Sequence, residues 1–77
     1  MEKREWGRVE PVKKEASLDL LVLEPRKRIP SHYHTKTLEV HIILNGKGEG
    51  KIFVWKPGQI HSYENNSDEE IRILCLC

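Results

Sequence analysis

Four side chains that commonly bind metal ions lie within a segment of 30 residues in this sequence. They are His32, His34, Glu39 and His61. Residues two apart on a β-strand point to the same face, so an unbroken strand presents both rings of His32 and His34 on one side. The polar residues 35–37 predict a turn or bulge before Glu39. The spacing therefore predicts that these side chains converge on one metal ion, the alternative being four unrelated polar residues.

This set of ligands predicts the kind of ion. Neutral imidazole and carboxylate suit Mn, Fe, Co, Ni, Cu or Zn rather than soft Cu(I). Structural zinc sites are closed and usually rich in thiolate, whereas three imidazoles and one carboxylate leave two octahedral positions for water and substrate. We expect one divalent transition metal in an open site, and the ligands do not select among these metals.

The elements that must position these residues are short strands. Strands are predicted over 17–23, 38–44, 51–55, 60–64 and 70–77, with a further extended segment through the first two histidines. The dipeptide Asn45-Gly46 is a strong hairpin signal. We expect a single all-β domain over residues 1–77, with an N-terminal arm or edge strand over 1–16 and a barrel over 17–77.

The same residues fall into two motifs of a known family. The first cupin motif has the form G-x5-H-x-H-x4-E-x6-G, and the second has the form G-x5-P-x-G-x2-H-x3-N. Eight of the ten fixed positions are present: His32, His34, Glu39, Gly46, Gly50, Gly58, His61 and Asn65. Arg26 replaces the leading glycine, and the proline falls one place late, at Pro57, with Lys56 in its slot.

The chain therefore resembles the cupins. The resemblance implies a small jelly-roll β-barrel with a metal held by the three histidines and the glutamate. Between Gly46 and Gly50 lie only three residues, where cupins usually have at least one further hairpin. Losing a whole hairpin preserves strand direction, so we expect a barrel reduced by about one hairpin, with an opening or an unpaired edge there. A natural and an engineered origin of this short segment are both open.

Two further residues are candidates for the lining of the site. His41 lies two positions after Glu39 and is predicted to face the same interior, as a hydrogen-bonding partner of a ligand, a general base or a replacement ligand. The alternative is a core histidine bonded to backbone or water. Tyr63 shares a face with His61 and either presents its hydroxyl to a ligand or packs as an aromatic. Cys75 and Cys77 are interpreted as small apolar strand residues, too far apart for a disulfide.

The resemblance favours a metal-dependent enzyme, dioxygenase-like or isomerase/lyase-like, that acts on a small oxygen-rich molecule. The alternatives are a non-catalytic module that binds or senses a metal or sugar-like ligand, and a structural cupin stabilised by its metal. A net charge of +1, from 13 basic and 12 acidic residues, indicates no preference for nucleic acid or membrane. No apolar run reaches the roughly 20 residues of a membrane span, and no secretory signal follows Met1, so we expect a cytoplasmic protein.

The length of the chain predicts self-association. A domain of 77 residues buries only about 60% of its unfolded surface, so its core is marginal. A missing hairpin is expected to expose apolar side chains such as Ile52, Val54 and Leu74. We therefore expect a homodimer in which the N-terminal half packs on or extends the partner's sheet and which buries on the order of 1,200–2,000 Å².

Overall fold

The computed structural model describes all 77 residues and consists of two antiparallel β-sheets. The larger sheet has the strand order β1-β2-β3-β8-β5-β6, and β4 pairs with β7 in the smaller one. The predicted all-β fold is confirmed, and neither sheet closes on itself. The strands are β1 (Glu2–Arg4), β2 (Gly7–Lys13), β3 (Leu18–Leu23), β4 (Arg28–His32), β5 (Glu39–Ile43), β6 (Ile52–Trp55), β7 (His61–Glu64) and β8 (Ile71–Leu76).

Residues 2–13 form a hairpin at one edge of the larger sheet. Arg4 pairs with Gly7 across a two-residue turn. Gly7 has φ +153°, and a Cβ at this position would collide with the carbonyl of Val22, so the turn requires glycine. A single turn of 3-10 helix, Lys14–Ala16, then leads into β3. No helix in the chain has the length and apolar character needed to span a bilayer.

The centre of the larger sheet is the trio β3, β8 and β5. The strands β3 and β8 pair over six residues, and β8 pairs with β5 on its other side. The strand β3 is rich in leucine and β8 in leucine and isoleucine, so both strands carry apolar side chains on both faces. The pairing of β3 with β8 joins segments that are about 50 residues apart in the sequence. The pairing of β5 with β8 sets His41 opposite Cys75, 34 positions later in the chain.

The core lies between the inner face of the larger sheet and the smaller sheet. At one end it is apolar, with Leu23, Ile29, Ile43 and Ile73 all buried. At the other end the buried residues are Glu39, His41 and His61. The period-two alternation of β5 produces this gradient, because Glu39, His41 and Ile43 follow one another along the same face.

Asn65 holds the connection between β7 and β8. Its side chain is fully buried, and its amide group donates to the backbone carbonyls of Leu23, Glu24 and Glu69 at 2.7–3.2 Å. Its amide oxygen accepts from the backbone and the hydroxyl of Ser67. An Asx turn of this kind replaces backbone pairing where the chain reverses, so Asn65 has a structural role.

The short connection between β5 and β6 leaves β6 at the edge of the sheet, as the missing hairpin predicts. Two backbone hydrogen bonds close this loop, since the N–H of Ile43 donates to the carbonyl of Lys51 and the N–H of Gly50 donates to the carbonyl of Ile43. Gly46 adopts φ +85° within the loop. The outward side chains of Ile52 and Val54 are 62% and 50% exposed. The edge therefore presents apolar surface as well as unpaired backbone groups.

Candidate metal centre

The smaller sheet brings two of the predicted ligands face to face. The strands β4 and β7 pair antiparallel, and His32 is the register partner of His61. A bulge between Ile29 and His32 interrupts this pairing and re-aims the end of β4. The two imidazole centroids lie 4.2 Å apart, so side chains 29 positions apart in the sequence share one place in the fold.

His34 reaches the same place by a different route from the one the sequence suggests. The strand β4 ends at His32, so the assumption of one unbroken strand through both residues is wrong. The carbonyl of His34 instead accepts a hydrogen bond of 2.7 Å from the backbone N–H of Gly58. This bond keeps the imidazole 5.3 Å from that of His32 and 5.8 Å from that of His61, with a side chain that is 43% exposed.

The backbone hydrogen bonds of two rings determine which nitrogen faces the site. The Nδ1–H of His32 donates to the carbonyl of Pro30 at 2.8 Å, and that of His61 donates to the carbonyl of Gln59 at 3.2 Å. A carbonyl only accepts, so each neutral ring has its lone pair on Nε2. The Nε2 of His61 is buried and has no hydrogen-bond partner. Metal-binding histidines show this arrangement, with one nitrogen held by a carbonyl and the other available.

Ring nitrogens of His32, His34 and His61 lie within 4.8 Å of one another. Glu39 joins the group through its Oε2, which is 3.1 Å from Nε2 of His34. The structure thus groups the three predicted histidine ligands, and Glu39 contacts this group through His34 while its carboxylate also groups with His41 and Cys75. Imidazole nitrogens with a neighbouring carboxylate suit a divalent ion.

The carboxylate of Glu39 is buried and ionised. Burial opposes its ionisation, but the hydrogen bond from His41 and the nearby rings of His34 and His41 outweigh that cost. The pKa of Glu39 therefore lies below its ordinary value of 4.5. A carboxylate that stays charged in a buried place is well suited to balance a cation.

A chain of hydrogen bonds runs from β6 to this carboxylate. The indole N–H of Trp55 donates to the hydroxyl oxygen of Tyr63 at 2.9 Å, and that hydroxyl lies 2.5 Å from Nδ1 of His41. Nε2 of His41 lies 2.8 Å from Oε1 of Glu39. An ionised carboxylate accepts, so His41 donates from Nε2 and accepts the hydroxyl proton of Tyr63 at Nδ1. His41 is thus bonded to side chains, and neither backbone nor water is needed to satisfy it.

Burial also determines the protonation of the neighbouring groups. It lowers the pKa of His41 below 6.5, although the hydrogen bond to Glu39 acts in the opposite direction. Burial likewise lowers the pKa of His61, and it raises the pKa of Tyr63 to about 12. At neutral pH both imidazoles are therefore neutral and the phenol retains its proton, which is the state in which imidazole binds a metal.

Aromatic and apolar residues form the wall of the site. The indole of Trp55 stacks on the imidazole of His61 at 4.8 Å and 11°, and Phe53 stacks on Trp55 at 5.5 Å and 7°. The cavity beside the ligands measures about 440 Å³ and is lined by Leu21, Ile29 and Arg4 together with His32, His34 and Glu39, whereas Trp55 and Phe53 lie outside its lining. This volume falls in the range of small-molecule sites.

Sequence reasoning missed two residues near the site, Cys75 and Cys77. The Sγ of Cys75 lies 3.7 Å from Oε1 of Glu39, and the two sulfur atoms are 3.6 Å apart. Burial raises the pKa of the Cys75 thiol. Alternation along β8 does put both cysteines on one face, but their place beside Glu39 depends on the pairing of β8 with β5. That pairing has no local signal.

The fold and this site define an all-β protein with a candidate metal centre between its two sheets, with His32 and His61 on the smaller sheet and Glu39 on the larger one. No model of a known protein family matches the chain, and no curated protein matches it. The function is therefore inferred from the residues of the site.

Proposed function

We propose that this chain is a reduced, cupin-type metal enzyme that acts on a small oxygen-rich molecule. Its ligands are the three clustered histidines and Glu39, and its ion is one of Mn, Fe, Co, Ni, Cu and Zn. The observation that supports this most directly is the buried Nε2 of His61, which has no hydrogen-bond partner and belongs to a ring that groups with His32 and His34. Leaving a buried polar atom unpaired costs about 1–3 kcal/mol, and binding an ion removes that cost.

The ligand set supports a reactive site. Four protein ligands leave two positions of an octahedron open, and a divalent ion held there acts as a Lewis acid toward an oxygen donor. The mixed N and O donors match ions that prefer this coordination. The half-exposed ring of His34 marks the open side of the group, from which a substrate enters.

The protein residues around the ligands select the substrate. Leu21 and Ile29 provide apolar surface in the cavity beside the ligands. Arg4 lines the same cavity from the N-terminal hairpin, where it is ion-paired with Glu2, and Asp19 lines it as well. A small oxygen-rich molecule fits this combination of open metal positions and apolar surface.

His41 and Tyr63 act as positioning residues in this proposal. Their hydrogen bonds hold Oε1 of Glu39 in one orientation and keep the carboxylate ionised. Partners of this kind typically contribute 10–100-fold in metal affinity or activity. The hydrogen bond from His41 to Glu39 continues to Tyr63 and from there to Trp55. Replacing either aromatic residue is therefore expected to change how the Glu39 carboxylate is held.

The alternative is a non-catalytic module that binds or senses a small ligand. The open side of the site at His34 favours it, because an open pocket excludes water less completely than a closed one. Both proposals include the same metal site, but only the enzyme converts the bound molecule into a product.

Elemental analysis of the purified protein, followed by an oxygen-uptake screen against catechols, flavonols and α-keto acids, tests the enzyme. We expect close to one transition-metal ion in the histidine cluster and oxygen uptake with at least one substrate class, lost in His34→Ala. Metal binding with calorimetric binding of these compounds but no turnover would establish the binding module instead. Failure to bind any of the six metals when each is supplied would overturn both.

A further inference from the structure

The two thiols at the end of β8 have no part in the proposed function. Cys75 is buried, Cys77 is exposed, and both are free. Their sulfur atoms lie 3.6 Å apart on the same face of the strand. In a tetrahedral site with Zn–S bonds of about 2.3 Å, two sulfurs are separated by about 3.8 Å. One ion can therefore bridge this pair, while a disulfide across two positions of an intact strand is disfavoured because the Cβ atoms lie roughly 7 Å apart, against roughly 3.5–4.5 Å in a disulfide.

Two other donors complete the set. The Sγ of Cys75 is 3.7 Å from Oε1 of Glu39, and the same oxygen is 2.8 Å from Nε2 of His41. The donor atoms of Glu39, His41 and Cys75 all lie within 4.8 Å of one another, and all three residues are buried. With Cys77 beside Cys75, the group offers two sulfurs, one nitrogen and one oxygen.

This group is distinct from the histidine cluster. The carboxylate of Glu39 lies between the two, with Oε2 directed at His34 and Oε1 directed at His41 and Cys75. The pairing of β5 with β8 creates the second group, because His41 and Cys75 are register partners. Each carboxylate oxygen therefore belongs to a different set of donors.

We propose that Glu39, His41, Cys75 and Cys77 form a second metal site, which takes a thiophilic ion such as Zn²⁺, Cd²⁺ or Cu⁺. Thiolate ligands select such ions, whereas the histidine cluster suits harder ones. Glu39 is shared as a bridging carboxylate. On binding, the two thiols would release their protons to solvent. Nε2 of His41 would then be a ligand instead of a donor to Glu39, and its ring proton would lie on Nδ1 and be donated to the hydroxyl oxygen of Tyr63, which lies within hydrogen-bonding distance.

Titration of the reduced protein with Co²⁺ tests this site, because thiolate-to-Co²⁺ charge transfer absorbs in the near ultraviolet and imidazole or carboxylate binding does not produce that band. We expect wild-type protein to bind two Co²⁺ ions, one of them with the charge-transfer band. The double variant Cys75→Ser, Cys77→Ser is expected to bind one ion without the band. His34→Ala is the matched control, which should lose the other ion and retain the band.

The single variant Cys77→Ser keeps the test valid if the double variant fails to fold, since Cys77 is exposed. Its band should fall by about half, because one of two sulfur ligands is lost. Absence of the band in wild-type protein, or a band unchanged by Cys77→Ser, would overturn the second site without affecting the histidine cluster. Loss of the band in His34→Ala would also overturn it, because the two sites would then be one.

Discussion

Alternate residues of β5 and β6 point to opposite faces of the larger sheet, and the two faces differ in chemistry. The inner face has Glu39 and His41, which are 6% and 2% exposed. The outer face has Ile52 and Val54, which are mostly open to water. An antiparallel sheet usually buries its apolar side and exposes its polar one. At this end of the sheet the pattern is reversed, because polar side chains are buried on the inner face and apolar side chains are exposed on the outer face. Both arrangements cost free energy.

Eight apolar side chains form the outer patch, which we define by neighbouring pairs across four strands. Its members are Leu18, Leu20, Val40, Ile42, Ile52, Val54, Leu74 and Leu76. A contiguous apolar patch on one face of a sheet marks an interaction surface. On the inner face, hydrogen bonds and, in our proposal, a metal ion compensate for the burial of Glu39 and His41. We propose that a second copy of the chain covers the outer patch in a homodimer, since a closed two-fold contact covers both patches at once.

The largest effect is expected from the removal of a proposed metal ligand. His34→Ala should lower metal affinity by roughly a hundredfold or more, because losing even the partner of a ligand typically costs 10–100-fold. The ring is 43% exposed, so its removal leaves the core intact. Metal content after dialysis against a fixed free-metal concentration measures the effect. Tyr33→Ala is the control at an adjacent exposed residue, and full metal content in His34→Ala would show that the ligand assignment is incorrect.

Removing the metal from wild-type protein should destabilise the fold. An ion that binds only the folded state stabilises it by about 2.7 kcal/mol at a free concentration a hundredfold above Kd. A chelator should therefore lower Tm, and the decrease should be smaller in His34→Ala, which retains only the proposed thiolate site. An identical wild-type melting curve after confirmed metal loss would mean that the apo fold is equally stable.

The outer face should respond to a single charge. Ile52→Lys should weaken the dimer by about 2 kcal/mol, close to the value of burying one isoleucine side chain. Light scattering at micromolar concentration measures the mass, which for wild-type protein should be twice the 9.0 kDa of one chain. Ser62→Lys places the same charge on an exposed position of β7 and should leave the dimer intact. A folded, metal-loaded wild-type monomer would refute the dimer.

The smallest effect is the pH dependence of the metal-free fold. Burial lowers the pKa of His41 and His61 in the folded chain, so below about pH 6.5 the unfolded chain binds more protons. Stability should be full above that pH and decline below it. The lowered pKa of Glu39 extends the decline as the pH falls below about 4.5. Urea unfolding of chelated protein across this range measures it, and stability that rises on acidification would contradict the buried, neutral histidines.

Much of the fold was predictable because the relevant information is local. Period-two alternation in β5 predicts that Glu39 and His41 share a face, and turn residues predict where strands end. The short segment after Gly46 predicts that β6 is an edge strand, which the sheet order confirms. The sequence places His34 near His32 on one continuous strand, and that strand is absent. The position of His34 depends instead on a hydrogen bond from Gly58.

The sequence by itself determined which residues have metal-binding chemistry, which of them alternate onto one face and where the chain turns. Only the tertiary structure decided that His41 pairs with Cys75, that Trp55 stacks on His61, and that Glu39 separates two groups of donors. The physical reason is that cross-strand neighbours depend on which strands pair and in what register. Pairing is chosen by burial across the whole sheet, and the strands that meet here, β5 and β8, are far apart in the chain.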